Sequence, residues 1–127
     1  MLEIEKYLLV ITNLKFRGAM ARFRCGNHNL AIESGRWSNQ TRSERTCLFC
    51  KNHMNLDVIE DEIHFLLMCP CYVHLRRKLF PVITDTCINH GVLHKFNYIM
   101  SNVDTAAAVA EFICCSLKKR ERYIFEN

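Results

Sequence analysis

The sequence predicts a small, mainly α-helical domain with short extended pieces and one metal-stapled turn, and three observations carry that prediction. Apolar residues recur at helical spacing in several stretches, among them Ile59, Ile63, Leu66 and Leu67, and further on Val109, Phe112, Ile113 and Leu117. Cys47, Cys50, His64 and Cys69 stand at Cys-x2-Cys-x13-His-x4-Cys spacing. The chain has 127 residues, enough for one domain but few enough that a metal staple matters to its stability. Hydrophobic residues make up 50% and charged residues 24%, a balance that suits a globular fold and excludes disorder. We read residues 1–127 as a single domain: an N-terminal helix over 1–24, a basic loop over 25–45, a metal motif over 46–72 and a helical C-terminal part over 73–127.

The four spaced residues have the chemistry of one structural zinc site. Zn²⁺ imposes no ligand-field geometry, accepts thiolate and imidazole in a tetrahedron, and is usually held in structural sites by two close-spaced pairs. Cys47-Leu-Phe-Cys50 suits a tight turn whose amides face the thiolates. Asp57 to Met68 reads as a helix, with Asp57, Glu60, Asp61 and Glu62 in its first turns, where they complement the dipole. Pro70 disfavours helical geometry at Cys69. His64 is therefore expected to project from the last turns of that helix, with Cys69 on the reversal after it. Three thiolates and an imidazole close the coordination shell, so the metal is expected to be structural and not catalytic.

In chain order, residues from about Glu3 to Arg24 read as one helix, with Ile4, Leu8, Ile11 and Leu14 at core-facing spacing. Its second half carries a face of Phe16, Ala19, Met20 and Phe23, edged by Lys15 and Arg22 on one side and by Arg17 and Arg24 on the other. Gly26 and the asparagines beside it tolerate left-handed geometry and end the helix. A loop or short extended pieces are expected from there to Arg45. Past the metal motif, Pro70 opens a helix to about Phe80, with Tyr72, Leu75 and Leu79 inward and Arg76, Arg77 and Lys78 outside. A helix or loop-helix from about Thr84 to Met100, a cap region over Ser101 to Asp104 and a long helix to about Tyr123 complete the chain.

The formal net charge is only +4, but its distribution is uneven. Seven Lys or Arg lie between positions 15 and 45 (Lys15, Arg17, Arg22, Arg24, Arg36, Arg42, Arg45) against two acids, Glu33 and Glu44. With Trp37, Phe16 and Phe23 interleaved, this segment offers phosphate contacts and stacking surfaces for unpaired bases. Arg76 and Arg77 extend the basic surface. The plainer reading is that these charges are solvated rims of core-facing helices and complements to helix dipoles. The candidate contacts with RNA or DNA are Arg22, Arg24, Arg36, Trp37, Arg42, Arg45, Arg76 and Arg77.

Glu3 and Glu5 stand where a secretory leader carries positive charge, and the apolar run around them is too short to span a membrane. The expectation is an intracellular protein of cytoplasm or nucleus, where close-spaced Cys and His favour metal over disulfide. Cys25 and His28 form a second Cys-x2-His pair, with His53 and Cys71 near the main motif, yet their spacing supplies no regular second set of four. Cys87, Cys114 and Cys115 read as small core residues, and His74, His90 and His94 as surface histidines. The sequence has no Gly-rich phosphate loop, no Gly-x-Ser-x-Gly, no His-Glu-x-x-His and no paired aspartates of a polymerase palm. Neither catalysis nor a small-molecule substrate is expected.

The run from Phe16 to Phe80, in particular FRCGNHNLAIESGRW, RTCLFC and IEDEIHFLLMCPCYVHLRRKLF, resembles the Cys/His-rich region near the C-terminus of reverse transcriptases of non-long-terminal-repeat retrotransposons. The specific parts of the resemblance are Cys47, Cys50, Glu60-Asp61-Glu62, His64, Cys69-Pro70, Tyr72 and Arg76. It implies a zinc-binding motif that helps a polymerase hold RNA or target DNA, with Cys47, Cys50, His64 and Cys69 as ligands and Arg22, Arg24, Arg36, Arg42 and Arg45 as contacts. The polymerase and endonuclease parts of such enzymes have no counterpart here, so the resemblance implies no polymerisation or cleavage. The chain looks like the tail of such an enzyme, as a fragment or a stand-alone descendant. The alternative is a zinc-stapled interaction or scaffold module, or a relic without function, whose N-terminal helix exposes an apolar patch to a protein partner.

Overall fold

A computed structural model describes residues 9–79 and 91–127, and among these the fold is mainly helical. Six α-helices are bounded within the described residues: α1 Leu14–Arg24, α2 Ala31–Trp37, α3 Leu48–Met54, α4 Val73–Leu79, α5 Val92–Ser101 and α6 Ala106–Glu126. Helix α6 is the axis of the packing, and α1, α4 and α5 all lie against it. It buries Ala106, Val109, Ala110, Phe112, Ile113, Cys114 and Ser116, while Leu117 packs partly buried against the same core. Phe112 joins Phe65 and Tyr72 in an aromatic cluster, with ring centroids 4.9 Å apart for Phe65–Tyr72 and 5.8 Å for Phe65–Phe112. The expected apolar face of α1 is present at Ala19, Met20 and Phe23, which are buried there.

The helix expected to run unbroken to Arg24 is interrupted at residues 11–13. The side chain of Asn13 takes hydrogen bonds from the backbone N–H groups of Lys15 (2.9 Å) and Phe16 (3.1 Å), which starts α1 afresh. The break resets the register. Ile11 enters the core, its carbonyl accepting from Arg17 Nε at 2.8 Å, whereas Leu14 is 75% exposed instead of facing inward. Residues 1–8, with Ile4 and Leu8, lie outside the described residues. At the other end of α1, Gly26 takes φ +75°, with Asn27 N–H on the Arg22 carbonyl (2.8 Å) and Gly26 N–H on that of Phe23 (3.2 Å). These are the two bonds of a Schellman ending, as the position of Gly26 foretells.

The segment expected as loop between Cys25 and Arg45 contains α2. Leu30 precedes it and has no side chain able to cap it, so no local signal marks its start. The cap comes from Glu60, 29 positions away: its Oε1 accepts from Ala31 N–H at 2.7 Å and its carbonyl from Ile32 N–H at 3.0 Å. No extended piece lies within 25–45; an isolated antiparallel pairing instead joins Thr46 to Ile59, with Cys47 N–H on the Val58 carbonyl (2.8 Å) and Glu60 N–H on that of Arg45 (2.9 Å). Because residues 58–60 are spent on that pairing, the helix expected from Asp57 begins only at Glu62. Asp61 Oδ1 caps it by accepting from His64 N–H at 2.8 Å.

Past Cys69, Pro70–Tyr72 forms a 3₁₀ turn leading into α4, with Tyr72 buried and Leu75 and Leu79 packed against the core. Arg76 is not on the outer face. It is buried, and its Nε donates to the Leu66 carbonyl (2.8 Å) and its Nη2 to those of Phe65 (3.2 Å) and Cys69 (3.1 Å), with the guanidinium over the Phe112 ring. Phe80 and the stretch 84–90, where the sequence suggests a helix end and a loop-helix, fall outside the described residues. Ser101 to Asp104 is the cap region expected: Asn102 Oδ1 accepts from Asp104 N–H at 2.9 Å before α6 begins.

Glu60 ties this arrangement together. Only 4% exposed, it receives Arg120 of α6 through both carboxylate oxygens, Nε to Oε2 at 2.9 Å and Nη2 to Oε1 at 2.7 Å. One side chain thus joins the start of α2, the extended pairing and the central helix. Glu60→Ala strands a largely buried guanidinium and the Ala31 amide at the start of α2, and is expected to cost about 3–5 kcal/mol in chemical denaturation. Leu14→Ala, at an exposed position, is expected to stay within about 0.5 kcal/mol of wild type. A Glu60→Ala loss no larger than that of Leu14→Ala would contradict the role assigned to the pair.

Candidate metal centre

Cys47 and Cys50 are brought to one side by the start of α3. The expected tight turn is in fact the first turn of this helix, with Cys47 at the N-cap and Cys50 three positions on. Residues three apart share a helix face, and the free amides at a helix start favour a thiolate. Asn55, at φ +54°, ends α3 and lets the chain return to the extended pairing.

His64 and Cys69 are brought together by a different device. His64–Met68 winds as a π-helical turn, and Cys69 N–H donates to the His64 carbonyl at 2.8 Å, five residues back. In an α-helix a spacing of five overshoots one turn by more than a third of a turn, which points the two side chains apart. The wider π turn brings positions i and i+5 back over one another. The ligand spacing His-x4-Cys therefore suits this local backbone. Arg76 holds the end of the turn by donating to the carbonyls of Phe65, Leu66 and Cys69.

The result is a tight group. Cys47 Sγ lies 3.8 Å from Cys69 Sγ, and Cys50 Sγ lies 4.0 Å from Cys69 Sγ and 3.5 Å from His64 Nε2. All four ligand atoms fall within 4.8 Å of one another. A tetrahedral ion at about 2.3 Å from sulfur and 2.0–2.1 Å from nitrogen would give edges of about 3.8 Å between sulfurs and about 3.6 Å from sulfur to nitrogen. The four residues could therefore hold one metal ion. The three cysteines are buried and His64 is partly so, which closes the group to solvent on most sides.

The electrostatics of the side chains favour a cation at this point. Hydrogen bonding from Cys69 pulls the Cys47 thiol down to about 4, against the opposing effect of burial. Burial, and then the charge on Cys47, push Cys50 up to about 11. Cys69, which shares its proton with Cys47, is pushed far above the usual thiol range. One thiolate thus forms readily among the three and suppresses the others, and a divalent ion removes that conflict by accepting all three. Cys71, beside the group but not part of it, is held up chiefly by burial.

The other Cys and His have separate employment. The His28 side chain is buried, its Nε2 on Glu62 Oε1 at 3.3 Å and its Nδ1 receiving Leu30 N–H at 3.3 Å; the bond from His28 is the main reason that the Glu62 carboxyl is lowered. His53 stacks on Phe49 at 4.5 Å. Among the described residues, Cys47, Cys50, His64 and Cys69 are the one Cys/His group compact enough for a metal. No disulfide joins the described cysteines.

The residues singled out for nucleic acid are divided by the structure. Arg22, Arg24 and Arg77 are exposed, Arg24 with its guanidinium on the Met100 carbonyl. Arg36 and Arg42 each keep 63% of their side chains exposed, the first 3.4 Å from Glu33 and the second 3.9 Å from Asp61. Trp37 is 86% exposed. Arg45 instead lies across Gly35, where an added Cβ would sit 2.5 Å from Arg45 Cγ, and donates to the carbonyls of Gln40 and Ile32. Arg76 is inside, as described. Of the aromatics offered for stacking, Phe23 is buried and Phe16 packs against the core, which leaves Trp37.

Sequence reasoning missed the structural parts of Glu60, Arg76 and Arg120. Glu60 and Arg76 belong to the motif quoted above, but nothing in their spacing tells an internal anchor from a surface charge. Compared with known proteins, the chain matches no family model, no curated protein and no solved structure. Among the described residues no helix is long and apolar enough to cross a membrane.

The thiol electrostatics predict the pH dependence of metal binding. Cys47 is already ionised at neutral pH, while Cys50 and Cys69 must each give up a proton to a bound ion. Two protons released per ion make the apparent affinity rise about a hundredfold per pH unit, here over roughly pH 7.5–8.5, and fall by the same factor on acidification. Competition titrations with a chromophoric chelator read the slope, and a pH-independent affinity would contradict the assignment.

Proposed function

We propose that the chain is a zinc-stabilised nucleic-acid-binding module, with one structural Zn²⁺ on Cys47, Cys50, His64 and Cys69 and no catalytic activity of its own. The observation that carries the metal assignment is the spacing of the ligand atoms, 3.5 to 4.0 Å for Cys50–His64, Cys47–Cys69 and Cys50–Cys69, on a donor set of three thiols and one imidazole. Soft thiolates with one imidazole in a tetrahedron favour zinc over the hard cations. Four protein ligands leave no open position for a substrate, which supports a structural metal.

The nucleic-acid reading is supported by the surface composition. Arg22, Arg24, Arg36, Arg42 and Arg77 are exposed around a body that also presents Trp37, a stacking platform for an unpaired base. On this reading the module is similar in role, as in motif, to the Cys/His-rich tail of retrotransposon reverse transcriptases, and works in the cytoplasm or nucleus. A second reading is favoured by Leu9 and Leu14, 66% and 75% exposed, and by exposed Val10 beside them. These give the N-terminal segment an apolar surface for a protein partner.

One set of samples tests the proposal. The purified protein is expected to carry one zinc per chain, and Cys47→Ser to lose the metal together with cooperative folding. RNA or DNA binding in a gel-shift series is expected to weaken with salt, log affinity falling by roughly 0.7–0.9 per phosphate contacted for each decade of salt. Trp37→Ala is expected to cost about 1–3 kcal/mol in binding to a single strand. Absence of salt-sensitive binding would overturn the nucleic-acid reading, and full zinc content in Cys47→Ser would overturn the ligand set.

A further inference from the structure

Helices α1 and α6 flank a groove of about 380 Å³ whose lining includes Lys15, Arg22 and Lys118. Lys15 and Arg22 lie seven residues apart on α1 and share a face, with Gly18 between them. Gly18 matters because a Cβ there would come within 3.2 Å of Arg22 Nη1, so its absence leaves room for the guanidinium to lie back along the helix. Asn27 and Asn29 add amide groups to the lining.

The groove is unbalanced in charge. Arg120 and His28 also line it, but Arg120 is committed to Glu60 and His28 to Glu62. Among the described residues no carboxylate lies within 4 Å of the cationic atoms of Lys15, Arg22 or Lys118. Glu121 is the remaining acid of the lining, one charge against three. Lys15 and Lys118 are close enough to interact directly, and that contact, followed by their like charge, holds the Lys15 ammonium below its usual range. Like charges converging without a counter-ion favour an anion between them.

We propose that this groove is a phosphate site, in which Lys15, Arg22 and Lys118 together hold one phosphate group of a nucleic-acid backbone. A phosphate suits it for three reasons. It offers several acceptor oxygens to ammonium and guanidinium donors that come from different directions. A carboxylate offers only two oxygens to three converging cations. The groove is also partly open to solvent, and Lys15 and Lys118 are both exposed, so a strand can run past them. The identity of the larger ligand rests on the nucleic-acid reading above; the phosphate chemistry does not. Lys118 belongs neither to the basic segment over 15–45 nor to the metal motif, so the site adds α6 to the surface that a strand would follow.

The test uses the zinc-loaded protein as purified and the double variant Lys15→Gln/Lys118→Gln, both at exposed positions. Amide spectra are recorded with sodium phosphate against sodium chloride at matched ionic strength, and binding of a labelled single-stranded RNA is measured across a salt series. Phosphate shifts confined to α1 around residues 15–22 and to α6 around 118, abolished in the variant, support the site. A salt slope lower by about 0.7, one phosphate's worth on a single strand, supports the nucleic-acid backbone as its source. Phosphate bound in the groove with no RNA binding keeps the site, assigns it to a small phosphate compound, and overturns the nucleic-acid reading. RNA bound with an unchanged slope in the variant, and no phosphate shifts in the groove, overturns the site while the nucleic-acid reading stands. No binding of either probe overturns both.

Discussion

Three thiols held within 4.8 Å of one another, out of solvent, are the arrangement on which the rest of this structure depends. Left to themselves they conflict, because the first to ionise raises the others. The surrounding fold supplies what forces them together: a helix start for Cys47 and Cys50, and a π turn for His64 and Cys69. Magnitudes decide which element dominates. A structural zinc contributes about 10–16 kcal/mol in small domains, against about 3–5 kcal/mol for disrupting a buried ion pair and a typical net stability of about 5–15 kcal/mol. With the zinc proposed here, most of the folding free energy of the motif resides in the metal, and Glu60–Arg120 and Arg76 act as braces that position its ligands.

The braces also explain why this protein's arginines cannot be counted together. An arginine that donates to several buried carbonyls, as Arg76 does, is part of the backbone's hydrogen-bond satisfaction and would leave those carbonyls unpaired if it moved. Arg45 is in similar service around Gly35. Arg36 and Arg42 form only long, exposed ion pairs, which are worth about 0–1 kcal/mol and are readily exchanged for a phosphate. Partner commitment separates structural from available charge more sharply than position in the sequence.

Much of this was legible in the sequence, and most of the failures come from partners distant in the chain. The helical class, the Gly26 ending, the cap before α6 and the inward face of α6 follow from residues within a few positions of one another, where spacing and side-chain chemistry act locally, and the metal group follows from two close-spaced pairs of ligand residues. Helix α2 escaped because its cap is Glu60, 29 residues on. The helix expected from Asp57 starts late because residues 58–60 pair with the chain near Thr46, a long-range competitor that periodicity does not register. Leu14 fell on the wrong face because Asn13, read as an ordinary helical residue, is a cap. Arg76 was placed outside because its position beside Arg77 and Lys78 matched a dipole-complementing end, whereas burial against Phe112 depends on the packing of α6.

The central claim is that Cys47, Cys50, His64 and Cys69 close a single zinc, and X-ray absorption at the zinc edge of the purified protein addresses it most directly. The account predicts one shell of three sulfurs at about 2.3 Å and one nitrogen at about 2.0–2.1 Å, with the imidazole signature of a single histidine. A shell dominated by nitrogen and oxygen, or one that retains three sulfurs when Cys69 is replaced by serine, would contradict it.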